Sequence, residues 1–108
     1  MDLQQIYTDR ELEHIAEEAM LYMCACPGQV ASEIGRLREL IRYQRACLAE
    51  PGGVAEVHSV IAEASIEAHR VMEECLTRVL ELEGWDRDTL VMPEGLRRLR
   101  DDLIHKMT

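Results

Sequence analysis

From Val54 to Glu83 the chain carries apolar residues at helical spacing, with neither proline nor glycine to interrupt them. As an α-helix this stretch is about 45 Å long. It holds two apolar sets. The main stripe is Val57, Ile61, Ala64, Ala68, Val71, Met72, Cys75, Val79 and Leu82. A second set, His58, Ala62, Ile66, His69, Leu76 and Leu80, lies a quarter turn or more round the same helix. A helix with two apolar faces must cover both. One face is expected against a hairpin of two earlier helices. The second set, with Ile66, Leu76 and Leu80 foremost, is expected under a fourth helix or at a subunit seam.

The other helices follow from their punctuation. Thr8-Asp9-Arg10-Glu11 reads as a capping box, with Thr8 at the cap and Glu11 three residues on. Leu12, Ile15, Ala16, Ala19, Tyr22, Met23 and Cys26 then recur at helical spacing, which predicts a first helix over 8–26. Pro27 suits the first turn of a second helix, where its missing N–H costs nothing. Val30, Ile34, Leu37, Ile41 and Leu48 form a narrow stripe interrupted by Gln44, and this helix is predicted over 28–49. Pro51-Gly52-Gly53 turns the chain into the long helix, 54–83, which Gly84 caps. Pro93 begins a last helix, 93–106, carrying Leu96, Leu99, Leu103 and Ile104.

There is no Phe, one Trp and three Tyr among 108 residues, while 47% are hydrophobic. The core must therefore be aliphatic, which helical packing accepts. The predicted fold is all-α: one domain, an antiparallel four-helix bundle with a long third helix, joined by short connections and associating as a homodimer.

The formal net charge is -9. That disfavours nucleic acid and anionic membrane surfaces, both polyanions. No apolar run approaches the roughly 20 residues that span a bilayer. Met1-Asp2-Leu3-Gln4-Gln5 lacks the basic start of a secretory signal. A cytoplasmic protein is the expectation. Arginines cluster on the second helix, where Arg38, Arg42 and Arg45 fall on one side. With 21 Asp and Glu in the chain, they are expected to pair with this protein's own acidic helices or to dock an acidic partner surface.

Cys24 and Cys26 flank the end of the first helix, and an antiparallel count brings Cys75 level with them. Such a thiol layer would suit Zn or Cu(I), with Met20, Met23 and Met72 nearby as further soft donors. It would equally suit redox cycling, with Cys26–Cys75 the feasible long-range bridge, or plain core packing. Cys47 lies at the opposite end of the second helix. His58 and His69 share a face but stand about 16 Å apart, too far for one metal. His69 and Glu73 are an i,i+4 pair. Glu11-Leu12-Glu13-His14 supplies a single Glu-x-x-His, where a di-iron bundle uses two.

Gln29-Val30-Ala31-Ser32-Glu33-Ile34-Gly35 resembles the first half of a bacterial helix-turn-helix. The resemblance covers about seven residues. Arg36-Leu37-Arg38-Glu39-Leu40-Ile41 then continues the helical stripe without a turn-forming residue, which departs from that pattern. There is no glycine-rich phosphate loop with a lysine and no nucleophile–base arrangement. The function this reading favours is a non-catalytic interaction or regulatory module that self-associates and binds a protein partner. A soft-metal or thiol-redox protein using Cys24, Cys26, Cys75 and His69 is the alternative, and a helix-turn-helix DNA binder the second.

Overall fold

The computed structural model describes residues 3–20, 26–50, 52, 54–93 and 104–106. Its described residues are helical or irregular, without a strand. Three helices follow one another: α1 (Asp9–Ala19), α2 (Cys26–Ala49) and α3 (Ala55–Glu83). The molecule is long and thin, 60 × 26 × 18 Å, because α3 alone extends about 43 Å.

Helix α1 starts at its capping box. Thr8 Oγ1 accepts from the Glu11 N–H, and Glu11 Oε1 accepts from the Thr8 N–H. It ends at Ala19, with Met20 as its cap. The helix is therefore shorter than the predicted 8–26. One cause is visible where α1 meets the start of α2. A Cβ placed on Gly28 would lie 3.2 Å from Ala19 Cβ and 3.4 Å from the Ala16 Cα. The two helices touch almost backbone to backbone there. Of the apolar positions read beyond Ala19, Tyr22 and Met23 lie outside the described residues, and Cys26 opens α2.

Helices α2 and α3 form an antiparallel hairpin. Arg38 on α2 bonds His69 on α3, and further along, Gln44 bonds His58. Helix α3 closes with Gly84 in the left-handed region, φ 77°. The Gly84 N–H donates to Glu81 O and the Trp85 N–H to Leu80 O, the paired bonds of a Schellman motif. Trp85, directly after this cap, is buried in the core. Beyond it the chain turns over Asp86, whose Oδ1 accepts from the Asp88 and Thr89 N–H groups, and runs back across α1. His14 Nε2 donates to Leu90 O, and Glu18 Oε1 accepts from the Met92 N–H.

The main core lies at this end of the hairpin. Leu12, Ile15 and Ala19 of α1, Ala31 and Ile34 of α2, and Leu76 and Leu80 of α3 pack with Tyr7, Trp85, Leu90 and Met92. Leu76 and Leu80, expected under a fourth helix or at a subunit seam, are thus central to the core, both at 0% exposure. Of the predicted fourth helix, 93–106, residues 104–106 are helical and 94–103 lie outside the described residues.

Candidate interaction surface

Helix α3 buries Ala62, Ser65, His69, Glu73, Leu76 and Leu80. Three of these six are polar, which is why a hydrophobic stripe drawn on the sequence does not find this face. Ser65 donates to Ile61 O of its own helix, while the partners of His69 and Glu73 sit on α2 and on the segment before α1. Arg38, only 3% exposed, donates from Nε to His69 Nε2 at 2.9 Å and from Nη1 to Asp9 Oδ1 at 2.7 Å. Its Nη2 donates to Tyr7 O at 2.6 Å and to Glu73 Oε2 at 3.1 Å. Glu73 Oε2 also accepts from the Ile6 and Tyr7 N–H groups, at 2.8 and 3.0 Å. The N-terminal segment is therefore strapped across α2 and α3 by one buried arginine and one buried glutamate.

The network fixes the state of His69. Its Nε2 accepts from Arg38, so the ring proton sits on Nδ1, 3.6 Å from Glu73 Oε1. Burial holds its pKa below the usual histidine range; Glu73 opposes that shift and the Arg38 charge adds to it. A neutral, buried imidazole with one nitrogen capped by a guanidinium has no free lone pair to take a proton from a substrate. The pair His69–Glu73 is accordingly a structural clasp between helices.

Arg38 is thus turned inward, and its charge is matched by Asp9 and Glu73. It pairs with this protein's own acidic residues, one of the two expectations for the arginine cluster. Arg42 and Arg45 remain exposed on α2. Ile66, predicted at an outer seam, is half-buried and lines a small pocket with Leu3, Ile6 and His69. Gly35 has no atom within 4 Å of where a Cβ would stand, so no close neighbour explains it. Helix α2 runs unbroken from Cys26 to Ala49, and the helix-turn-helix resemblance ends with it: no turn follows Gly35.

Cys26 is in a disulfide, while Cys75 and Cys47 are free, so Cys26 and Cys75 are not bridged. Cys24 lies outside the described residues. Cys75 is half-buried and sits on the main stripe of α3. Among the described residues, no three His, Cys, Asp or Glu side chains converge as a metal site. No described helix is long and apolar enough to cross a membrane.

With Leu76, Leu80 and the Arg38 clasp facing inward, the main stripe of α3 faces outward. Val57 is 51% exposed, Val71 47% and Leu82 73%. Ala64 is also exposed, and Ile61, Ala68, Cys75 and Val79 are half-buried along the same side. Val60, 59% exposed, widens it. Singly exposed valines are ordinary, but a continuous apolar strip along a helix of 29 residues is not. The predicted assignment of the two faces is therefore reversed. The set expected at an outer seam packs the core, and the main stripe is the one left uncovered. Apolar periodicity shows that there are two faces; only the pairing of Arg38 with His69 and Glu73 decides which turns inward.

No protein-family model matches the chain, and no curated protein or solved structure matches it.

Proposed function

We propose that this chain is a non-catalytic helical interaction module, working in the cytoplasm, that self-associates through the outward stripe of α3 and serves a protein partner. The observation that carries the reading is the contrast between the two sides of α3. One side is closed by Leu76, Leu80 and the Arg38 clasp. The other presents Val57, Ala64, Val71 and Leu82 to solvent. Covering that stripe removes apolar area from water, which drives association. In this reading a short fourth helix completes the bundle, and the exposed Arg42 and Arg45 offer a separate basic face to an acidic partner.

The experiment is a measurement of mass in solution. Light scattering or sedimentation should give a dimer at micromolar concentration. Val71→Glu should give a monomer with unchanged helicity by circular dichroism, because position 71 is solvent-exposed in the single chain. A wild type that is strictly monomeric at several hundred micromolar would end the self-association reading.

A further inference from the structure

The uncovered stripe has a finer pattern than amphipathicity. Val57, Ile61, Ala64, Ala68, Val71, Cys75, Arg78 and Leu82 are separated by alternating steps of four and three residues. That is a 3.5-residue repeat, the spacing of a coiled-coil seam. It reads the same in both directions. We propose that a second copy of this chain docks antiparallel on α3, about a two-fold axis between His69 and Arg70. This rests on the self-association reading above and adds its geometry.

In this arrangement Val57 faces Leu82 of the second copy, Ile61 faces Arg78, Ala64 faces Cys75, and Ala68 faces Val71. The layers beside the axis carry Ala64 and Ala68, whose small side chains let the two helix backbones approach. Each exposed hairpin tip, with Val57 and Val60, then lies under the Leu82 end of the other copy.

Charge selects the orientation. Arg78 interrupts the apolar repeat, is exposed, and has no ion-pair or hydrogen-bond partner among the described residues. Glu56 and Glu63, on the flank of the stripe at its other end, are exposed and equally unpaired. Antiparallel docking brings Arg78 of one copy to the Ile61 layer of the other, between Glu56 and Glu63. Parallel docking sets Arg78 against Arg78. Near the axis the charges are already matched within the helix, where Arg70 bridges Glu67 and Glu74. Unsatisfied charges of opposite sign thus stand where a two-fold axis would join them, and such flanking pairs set orientation in helix pairs.

A second copy also fits the length. The stripe from Val57 to Leu82 spans about 38 Å, whereas residues 93–106 as a helix reach about 21 Å. A helix over 93–106 is too short to cover it by itself.

The test uses the full chain carrying Cys47→Ser and Ala64→Cys, with Cys75 left in place. Mild oxidation, or a short bis-maleimide, followed by peptide mapping should recover a link between position 64 of one copy and Cys75 of the other. Links of 64 to 64 and 75 to 75, or a dimer that yields no link at these positions, overturn the antiparallel register while leaving self-association standing. A monomer by light scattering ends both. A second measurement needs no thiol. Arg78→Glu should weaken the dimer about tenfold through two lost pairs and two new repulsions. Adding Glu56→Arg and Glu63→Arg should restore it. Failure of that rescue, with the apolar stripe intact, also overturns the orientation.

Discussion

The two ends of the α2–α3 hairpin are built on different terms. At the head, α1, the N-terminal strap and the turn from Trp85 to Met92 wrap the hairpin. Eleven buried residues from all three helices and the segments before α1 and after α3 meet there, Ile15, Ile34, Leu76 and Leu80 among them. At the tip, among the described helices, α2 and α3 contact only each other. Ile41 and Ala62 are buried, Gln44 and His58 share one hydrogen bond of 2.7 Å, and Tyr43, Val54, Val57 and Val60 stand at 65%, 64%, 51% and 59% exposure. Two helices present one contact line to each other, while three elements enclose a volume. The same helices thus carry a closed core at one end and open apolar surface at the other. Local opening should follow that gradient, since segments with few buried contacts open at low cost.

The largest effect should come from the polar clasp. Arg38→Ala leaves Glu73 buried without its cation and frees the strap from Tyr7 O. A loss of about 4 kcal/mol in urea unfolding is expected, the scale for breaking a buried ion pair. Arg38→Met with Glu73→Leu should cost much less than that single change, because no charge is left stranded. If both proteins lose equal stability, the clasp is not what holds the strap.

Apolar truncations then contrast the two ends directly. Leu76→Ala removes a fully buried side chain and should cost about 3 kcal/mol. Val60→Ala at the tip should change the stability of the single chain by about 0.5 kcal/mol or less, in the range of surface changes. Measured at concentrations where no dimer forms, equal losses at the two sites would erase the distinction between head and tip.

Acid sharpens the comparison through His69. Its folded pKa lies below its ordinary value, chiefly because it is buried. The unfolded chain therefore takes up a proton as pH falls through about 6.5, while the folded chain does not until lower pH. Stability should fall as pH drops from 7.5 to 5.5. His69→Gln should flatten that slope. A slope unchanged by His69→Gln would place the sensitive group elsewhere.

A gain rather than a loss is expected at Gly35. A Cβ there meets nothing within 4 Å, and alanine suits a helix interior better than glycine by about 1 kcal/mol. Gly35→Ala should raise stability by that order in thermal unfolding. A destabilised variant would show that α2 has a neighbour at this point.

Much of this division was legible in the chain, and the exceptions are instructive. Thr8 and Glu11 mark the start of α1, Gly52 the hairpin turn, and Gly84 the end of α3, because each acts within a few residues of itself. The two apolar faces of α3 were legible too, since a 3.6-residue period places Leu76 and Val71 on different sides whatever surrounds them. Their assignment was not. Ser65, His69 and Glu73 score as polar, and so do Arg38 and Gln44 on α2. Ser65 is satisfied by Ile61 O of its own helix, but burying any of the others alone is costly, and only pairing across the helices removes the cost. Such pairing joins positions 31 and 35 residues apart for Arg38, and further for the backbone of Ile6 and Tyr7 with Glu73. The early end of α1 belongs with these, because Gly28 meets Ala16 and Ala19 only once the helices are docked. Local chemistry in the sequence determined where helices start and stop and that α3 has two faces to cover. Tertiary contact decided which face turned inward, since a buried charge is stable only where its partner happens to stand.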